Sequence, residues 1–204
     1  SMSKKKANKL DRLFEKMLTN KTLRVQAVKQ DFEWFFPIYF HKRLEYPTAP
    51  FQAEIIKLLR DCRKKFLVIT AFRGSAKTTL TSVAYVLWAV FGSEQKKYVL
   101  LVGQTEIKAR RNLANLRRQL ETNDLLRRDL GPIDEEKDQW GATAFIIRKL
   151  NAKIAIASVG QSVRGLLHDE YRPDLVVCDD LESLESVRTQ ESRNNLSDWF
   201  GGEL

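Results

Sequence analysis

Two short runs of this chain carry residue types that could do chemistry together. The first is Ala71-Phe72-Arg73-Gly74-Ser75-Ala76-Lys77-Thr78-Thr79. A small-residue loop ending in Lys-Thr can hold phosphate: its backbone N–H groups point at the oxygens, and the following helix N-terminus adds positive partial charge. Lys77 would reach the β and γ oxygens, and the Thr78 hydroxyl would sit on Mg²⁺. Gly74, Ser75, Ala76 and Thr79 complete the cradle. The general pattern has Gly where this chain has Ala71 and Ala76, so the loop is expected to follow that path only if neither position demands a positive φ. The plainer alternative is an ordinary turn with a solvated lysine. The second run is Leu175-Val176-Val177-Cys178-Asp179-Asp180-Leu181-Glu182, in which a buried strand would deliver acids to a crevice at its C-terminal end. Phosphoryl transfer needs a cation, a held metal and an oriented water. Lys77 would supply the first, Thr78 and Asp179 (through water) the second, and Asp180 or Glu182 the third.

These groups need elements to position them. Phe66–Thr70 is apolar and β-branched enough for a buried strand before the loop, and Leu80–Phe91 suits a largely buried helix after it. A second buried strand is expected at Lys97–Gly103. Helices should follow over Glu106–Leu120, with a basic face of Lys108, Arg110, Arg111, Arg117 and Arg118, and over Asn123–Leu130, stopped by Gly131-Pro132. That basic face could meet DNA or a neighbouring subunit, or be only solvated. Residues 143–148 and 153–158 read as a hairpin turning near Asn151. A loop over 159–165 carries Arg164, and a last helix runs from Val187 to about Phe200.

Upstream, Leu10, Leu13, Phe14, Met17 and Leu18 recur at helical spacing, and Thr22–Gln30 reads as a second helix. The aromatic block Phe32–Phe40 lacks interleaved cations, so it is expected to pack the N-terminal helices onto the main body rather than to stack bases. An amphipathic helix should start at Pro47–Gln52 and run to about Cys62. The Gln52 amide can pair with an adenine edge, or lie on the surface of a first helical turn.

Composition narrows the class. With 204 residues, 43% of them hydrophobic, the chain can bury the core of one α/β domain with a small helical appendage. No apolar run spans a membrane without a charge, so a soluble, cytoplasmic protein is expected. Ser1-Met2 reads as a cloning scar. The net charge of +9 is confined to residues 1–65, with 16 basic and 7 acidic residues; the remainder is neutral. A basic arm at Ser1–Lys9 can bind nucleic acid or be a solvated tail. Cys62 and Cys178 are expected to be reduced core thiols, and two histidines, His41 and His168, are too few for a His-rich metal centre.

Taken together, Pro50-Phe51-Gln52, Ala71–Thr79, the hairpin leading into Ser162-Val163-Arg164-Gly165, and Leu175–Asp180 resemble the ATPase domain of the large terminase subunit of tailed bacteriophages, over roughly residues 47–200. The resemblance implies an α/β P-loop NTPase fold (ASCE/RecA-like), three-layered with a mainly parallel sheet. The helical region 1–46 would precede an ATPase domain over 47–204. It also implies an ATPase using ATP and Mg²⁺ to drive double-stranded DNA into a procapsid. Portal protein and small terminase subunit would be its partners. The protein would form a ring homo-oligomer in the motor, a monomer in isolation, and would work in the host cytoplasm docked on the procapsid. Gln52 would sense adenine, Arg73 would contact the γ-phosphate or sense nucleotide state, and Asp179 would hold the metal. Arg164 sits where some members are proposed to carry an arginine finger acting on the neighbouring subunit, which leaves the finger open between Arg73 and Arg164. The family's usual Glu after the metal Asp is Asp180 here, which leaves the base open between Asp180 and Glu182. The coupling motif and nuclease domain are absent, so the chain is expected to be C-terminally truncated and to lack nuclease activity. A helicase-type DNA-translocating ATPase and a non-catalytic basic nucleic-acid-binding module are the competing readings.

Overall fold

The computed structural model describes residues 2–40, 49–61, 67–69, 76–133, 141–181 and 189–203. Four helices come first: α1 (Met2–Thr19), α2 (Lys21–Gln30), α3 (Phe32–Phe40) and α4 (Pro50–Arg60). Asn20 separates α1 from α2 because its side-chain oxygen accepts from Leu23 N at 3.0 Å, an N-cap. Of the expected apolar face of α1, Met17 is fully buried, whereas Leu13 and Leu18 remain exposed. The aromatic block is α3, with Phe32, Phe35, Phe36 and Phe40 all buried.

The helix expected over Leu80–Phe91 forms in two parts, a π-helical segment at Thr79–Tyr85 and α5 at Val86–Phe91. Thr81 Oγ1 donates to the Lys77 carbonyl at 3.0 Å, a side-chain bond that competes with the backbone ladder for that acceptor. Phe32 of α3 meets Tyr85 edge-on at 5.4 Å and Trp88 at 5.7 Å. One apolar cluster therefore contains both the N-terminal aromatics and the helix that follows the loop. The aromatic block packs, as its composition predicted.

The sheet comprises β1 (Tyr98–Gly103), β2 (Ala144–Ile147), β3 (Ala152–Ser158) and β4 (Leu175–Asp179), in spatial order β2-β3-β1-β4. β1 pairs parallel with β3 and β4, and β2 pairs antiparallel with β3. Asn151 makes the hairpin possible by adopting the left-handed conformation (φ 47°), which Asn tolerates better than most residues. Helices α6 (Glu106–Thr122) and α7 (Asp124–Leu130) lie between β1 and β2 in sequence, and α8 (Gln190–Glu203) ends the described chain. Thr105 and Asn123 cap α6 and α7 with their side-chain oxygens. The result is a mixed α/β fold with a mostly parallel sheet.

Alternation along the strands divides the sheet into two faces. Val99, Leu101, Ile154, Leu175 and Val177 join the main core with the helices. Tyr98, Leu100, Val102, Ala155 and Ala157 form a smaller second cluster with Val163. Asp179 continues the first set, two residues after Val177, so it belongs to the helix-covered face.

Two expectations are corrected. Leu67–Ile69, the described part of the strand expected before the loop, has no strand pairing, and Val68 is 70% exposed. Leu67 and Ile69 still pack on the core, so the alternation of a half-buried segment is present without a ladder. Cys178 is an exposed free thiol rather than a core one, because it points to the thinner face; Cys62 lies outside the described residues. Among the described residues, no helix is long and apolar enough to cross a membrane.

Candidate functional site

The three parallel strands end in register: Gly103 lies opposite both Ser158 and Asp179. Their C-terminal edge is where an open α/β sheet offers a crevice. Asp179 is the acid at that edge. It is only 8% exposed, and its Oδ2 accepts from Ser82 Oγ at 3.2 Å and Asn112 Nδ2 at 3.4 Å. Ser82 belongs to the π-helical segment and Asn112 to α6, so the helix after the loop and the end of β4 meet at this carboxylate. Thr78 lies about one turn before Ser82 on the same continuous helix, whose first residue is Lys77. Among the described residues, the Lys77 ammonium has no partner.

Asp180 behaves differently. Its backbone is left-handed (φ 52°), its side chain is 70% exposed, and it pairs with Lys108 Nζ at 3.2 Å. Lys108 Nζ also donates to Gln104 Oε1 at 2.8 Å, just past the end of β1. Two other cations of the expected basic face have different duties. Arg110 pairs with Glu106 in its own helix, and Arg117 reaches the Gly141 carbonyl and lies over the Phe145 ring. With Lys108 also engaged, the five cations do not form one solvated stripe; Arg111 and Arg118 are the two left exposed with no partner among the described residues.

Ala76 has φ 58°, so the loop does demand a positive φ where the sequence has a β-carbon. Gln52 is buried, and its Oε1 accepts from Ala49 N at 3.1 Å, bracing the first turn of α4. It is thus not a surface residue. Arg164 lies on the opposite face of the sheet from Ser82 and Asn112, in a cavity of about 450 Å³ with Leu100, Val163, Arg172, Val176 and Glu203. There Arg164 Nε donates to the Gly202 carbonyl at 2.7 Å. The Glu203 carboxylate accepts from Val163 N (2.8 Å), Ser162 Oγ (3.1 Å) and Arg164 N (3.3 Å). These donors, led by the Val163 N–H, hold the Glu203 carboxyl below its ordinary range. The structure therefore brings Asp179 to the helix of Lys77, Thr78 and Thr79, and keeps Arg164 away from it. Arg73, Gly74, Ser75 and Glu182 lie outside the described residues, as does the rest of the loop before Ala76.

Ser82, Asn112 and Lys108 are the members of this site that residue patterns did not assign to it. The available signals were a run of hydroxyls (Thr78, Thr79, Thr81 and Ser82) at the start of an apolar helix, and a Lys and Asn spaced i, i+4 on one helix.

Asp179 is the described residue here that could ligate a divalent cation. Asp179 is a buried carboxylate whose described partners are all neutral, so its charge is uncompensated within the described structure. Mg²⁺ is commonly held by one or two carboxylates plus substrate phosphates rather than by an all-protein cage. Among the described residues no group of three or more His, Cys, Asp or Glu could form such a cage. No protein-family model matches the chain, and no curated protein matches it either.

Proposed function

We propose that this chain is the ATP-hydrolysing motor domain of a viral genome-packaging terminase, a P-loop NTPase of the ASCE/RecA-like type that couples hydrolysis to movement of double-stranded DNA. The observation that carries the reading is the 3.2 Å bond from Ser82 to Asp179, which ties the helix after the Lys-Thr loop to the acid ending β4. Lys77 binds the β and γ oxygens as a point charge; Thr78 and Asp179 are the residues that would hold Mg²⁺. Mg²⁺ held there would supply neutralisation of the phosphate charge. Asp180 is a candidate to orient the attacking water, and its pairing with Lys108 means that it must exchange partners to do so. Glu182 remains the other candidate. Arg164 faces away from its own Asp179, which supports a role on a neighbouring subunit over one in its own site. Arg73, by its place in the loop, would meet the γ-phosphate, and Gln52 the adenine.

Steady-state phosphate release from ATP, measured against protein concentration with Lys77→Ala as the blank, tests the reading. Turnover lost in the variant supports it, and a specific rate rising with concentration supports Arg164 acting between subunits. The absence of both turnover and Lys77-dependent ATP binding would overturn it.

A further inference from the structure

Both described hydrogen bonds to Asp179 end on one oxygen. Oδ2 takes the Ser82 hydroxyl and the Asn112 amide, while Oδ1 has no hydrogen bond among the described residues. Neutral donors satisfy an oxygen without cancelling the carboxylate charge, which a lysine or arginine at either position would do. The helix bearing Asn112 is held close to the sheet. A β-carbon on Gly103 would stand 2.8 Å from the Ala109 backbone nitrogen, so only glycine allows α6 to pass so near the end of β1. Ala109 and Leu113, which flank Asn112 on the inner side of α6, are both buried and fix its rotation. One turn earlier, Lys108 of the same helix holds Asp180.

We propose that Asn112 is a positioning residue for the metal acid: with Ser82 it pins Oδ2 of Asp179 and so aims Oδ1 at the Mg²⁺ of bound ATP. The inference rests on the ATP-site reading and assigns α6 a role in it. The amide turns a rotatable carboxylate into a fixed one, and such outer hydrogen bonds commonly set metal affinity.

The test is a Mg²⁺ titration of fluorescent ATP-analogue binding to the full chain. Asn112→Ala should raise the Mg²⁺ half-saturation about 10-fold, while affinity for the analogue in EDTA stays unchanged. Ser82→Ala, which removes the other donor, should shift the Mg²⁺ requirement in the same direction. Alanine is the best helix former, so Asn112→Ala keeps α6 intact, and its thermal midpoint checks this. Lys77-dependent binding with an unmoved Mg²⁺ requirement in both variants overturns the role of Asn112 and leaves the ATP site standing. A loss of affinity in EDTA equal to the loss in Mg²⁺ also overturns it, because the residue would then shape the whole pocket. Wild-type binding that is absent, or indifferent to Lys77→Ala, removes the ATP site and this inference together.

Discussion

Asp129 and Asp179 are buried to nearly the same depth, 9% and 8% exposed, yet their surroundings treat the charge in opposite ways. Asp129 of α7 receives Arg24 of α2 in a two-pronged pair at 2.6 and 2.8 Å, and the Tyr39 hydroxyl at 3.0 Å. Burial, and then the negative charge of Asp129, push the Tyr39 phenol far above its ordinary value, which keeps it a donor. Arg24 in turn caps the Met17 and Leu18 carbonyls of α1 at 2.9 and 3.0 Å. That cluster joins four helices and leaves no charge uncompensated. Asp179 has a hydroxyl and an amide, and no cation among the described residues. A buried acid with its counter-ion built in fixes a fold; one without it is ready for a cation from outside.

The sharpest way to break this contrast is to remove one partner from each site. Arg24→Ala strands a buried carboxylate and should cost about 3–5 kcal/mol of stability in urea unfolding. Asp179→Asn should leave the unfolding midpoint unchanged or raise it, because it removes a buried charge that has no counter-ion among the described residues, while abolishing the Mg²⁺ dependence of nucleotide binding. If Asp179→Asn proved as destabilising as Arg24→Ala, Asp179 would be a structural acid and the contrast would fail. Gly103→Ala sharpens it: forcing α6 off β1 should weaken Mg²⁺-dependent binding through Asn112, with the Arg24 cluster untouched. Ala76→Gly should stabilise the chain by about 1 kcal/mol, since glycine takes a left-handed φ without the β-carbon penalty. The smallest effect belongs to the thinner face. The lowered pKa of Glu203 means that its tie to the 162–164 loop contributes stability above the ordinary carboxylate range and loses it as pH falls through the lowered value. Wild type and Glu203→Gln should therefore differ in midpoint at neutral pH and converge in acid.

Much of this arrangement could be read from residue order. β1, β3 and β4 are short apolar runs with turn residues on either side, and Asp179 sits where such a run ends. The hairpin was legible through Asn151, and the packing role of Phe32–Phe40 through its lack of cations. What order could not show is which polar residues meet. Ser82 and Asn112 are 97 and 67 residues from Asp179 and look like ordinary helix residues until the sheet sets them beside it. The basic face of α6 was legible as a set of positions, but spacing marks a face and not the Asp180 or Phe145 that meets two of its cations. The π-helical segment has no periodicity of its own to reveal it. At Ala76 the left-handed φ falls where the general loop pattern has glycine.

The strand order has a consequence for how the chain assembles. β2 and β3 close a short hairpin, but β1 must enter beside β3 across some fifty residues, and β4, from still further along, pairs among the described residues with β1 alone. The Asp174 carboxylate clips the two strands at their start, accepting from Lys97 N and Tyr98 N at 2.9 Å each, 77 and 76 residues away. Loop-closure entropy places such contacts late in folding. On a growing chain, the hairpin and β1 can be in place before residue 179 has been made. By that ordering the Asp179 carboxylate, which has no counter-ion among the described residues, is buried late, after the helices that receive it.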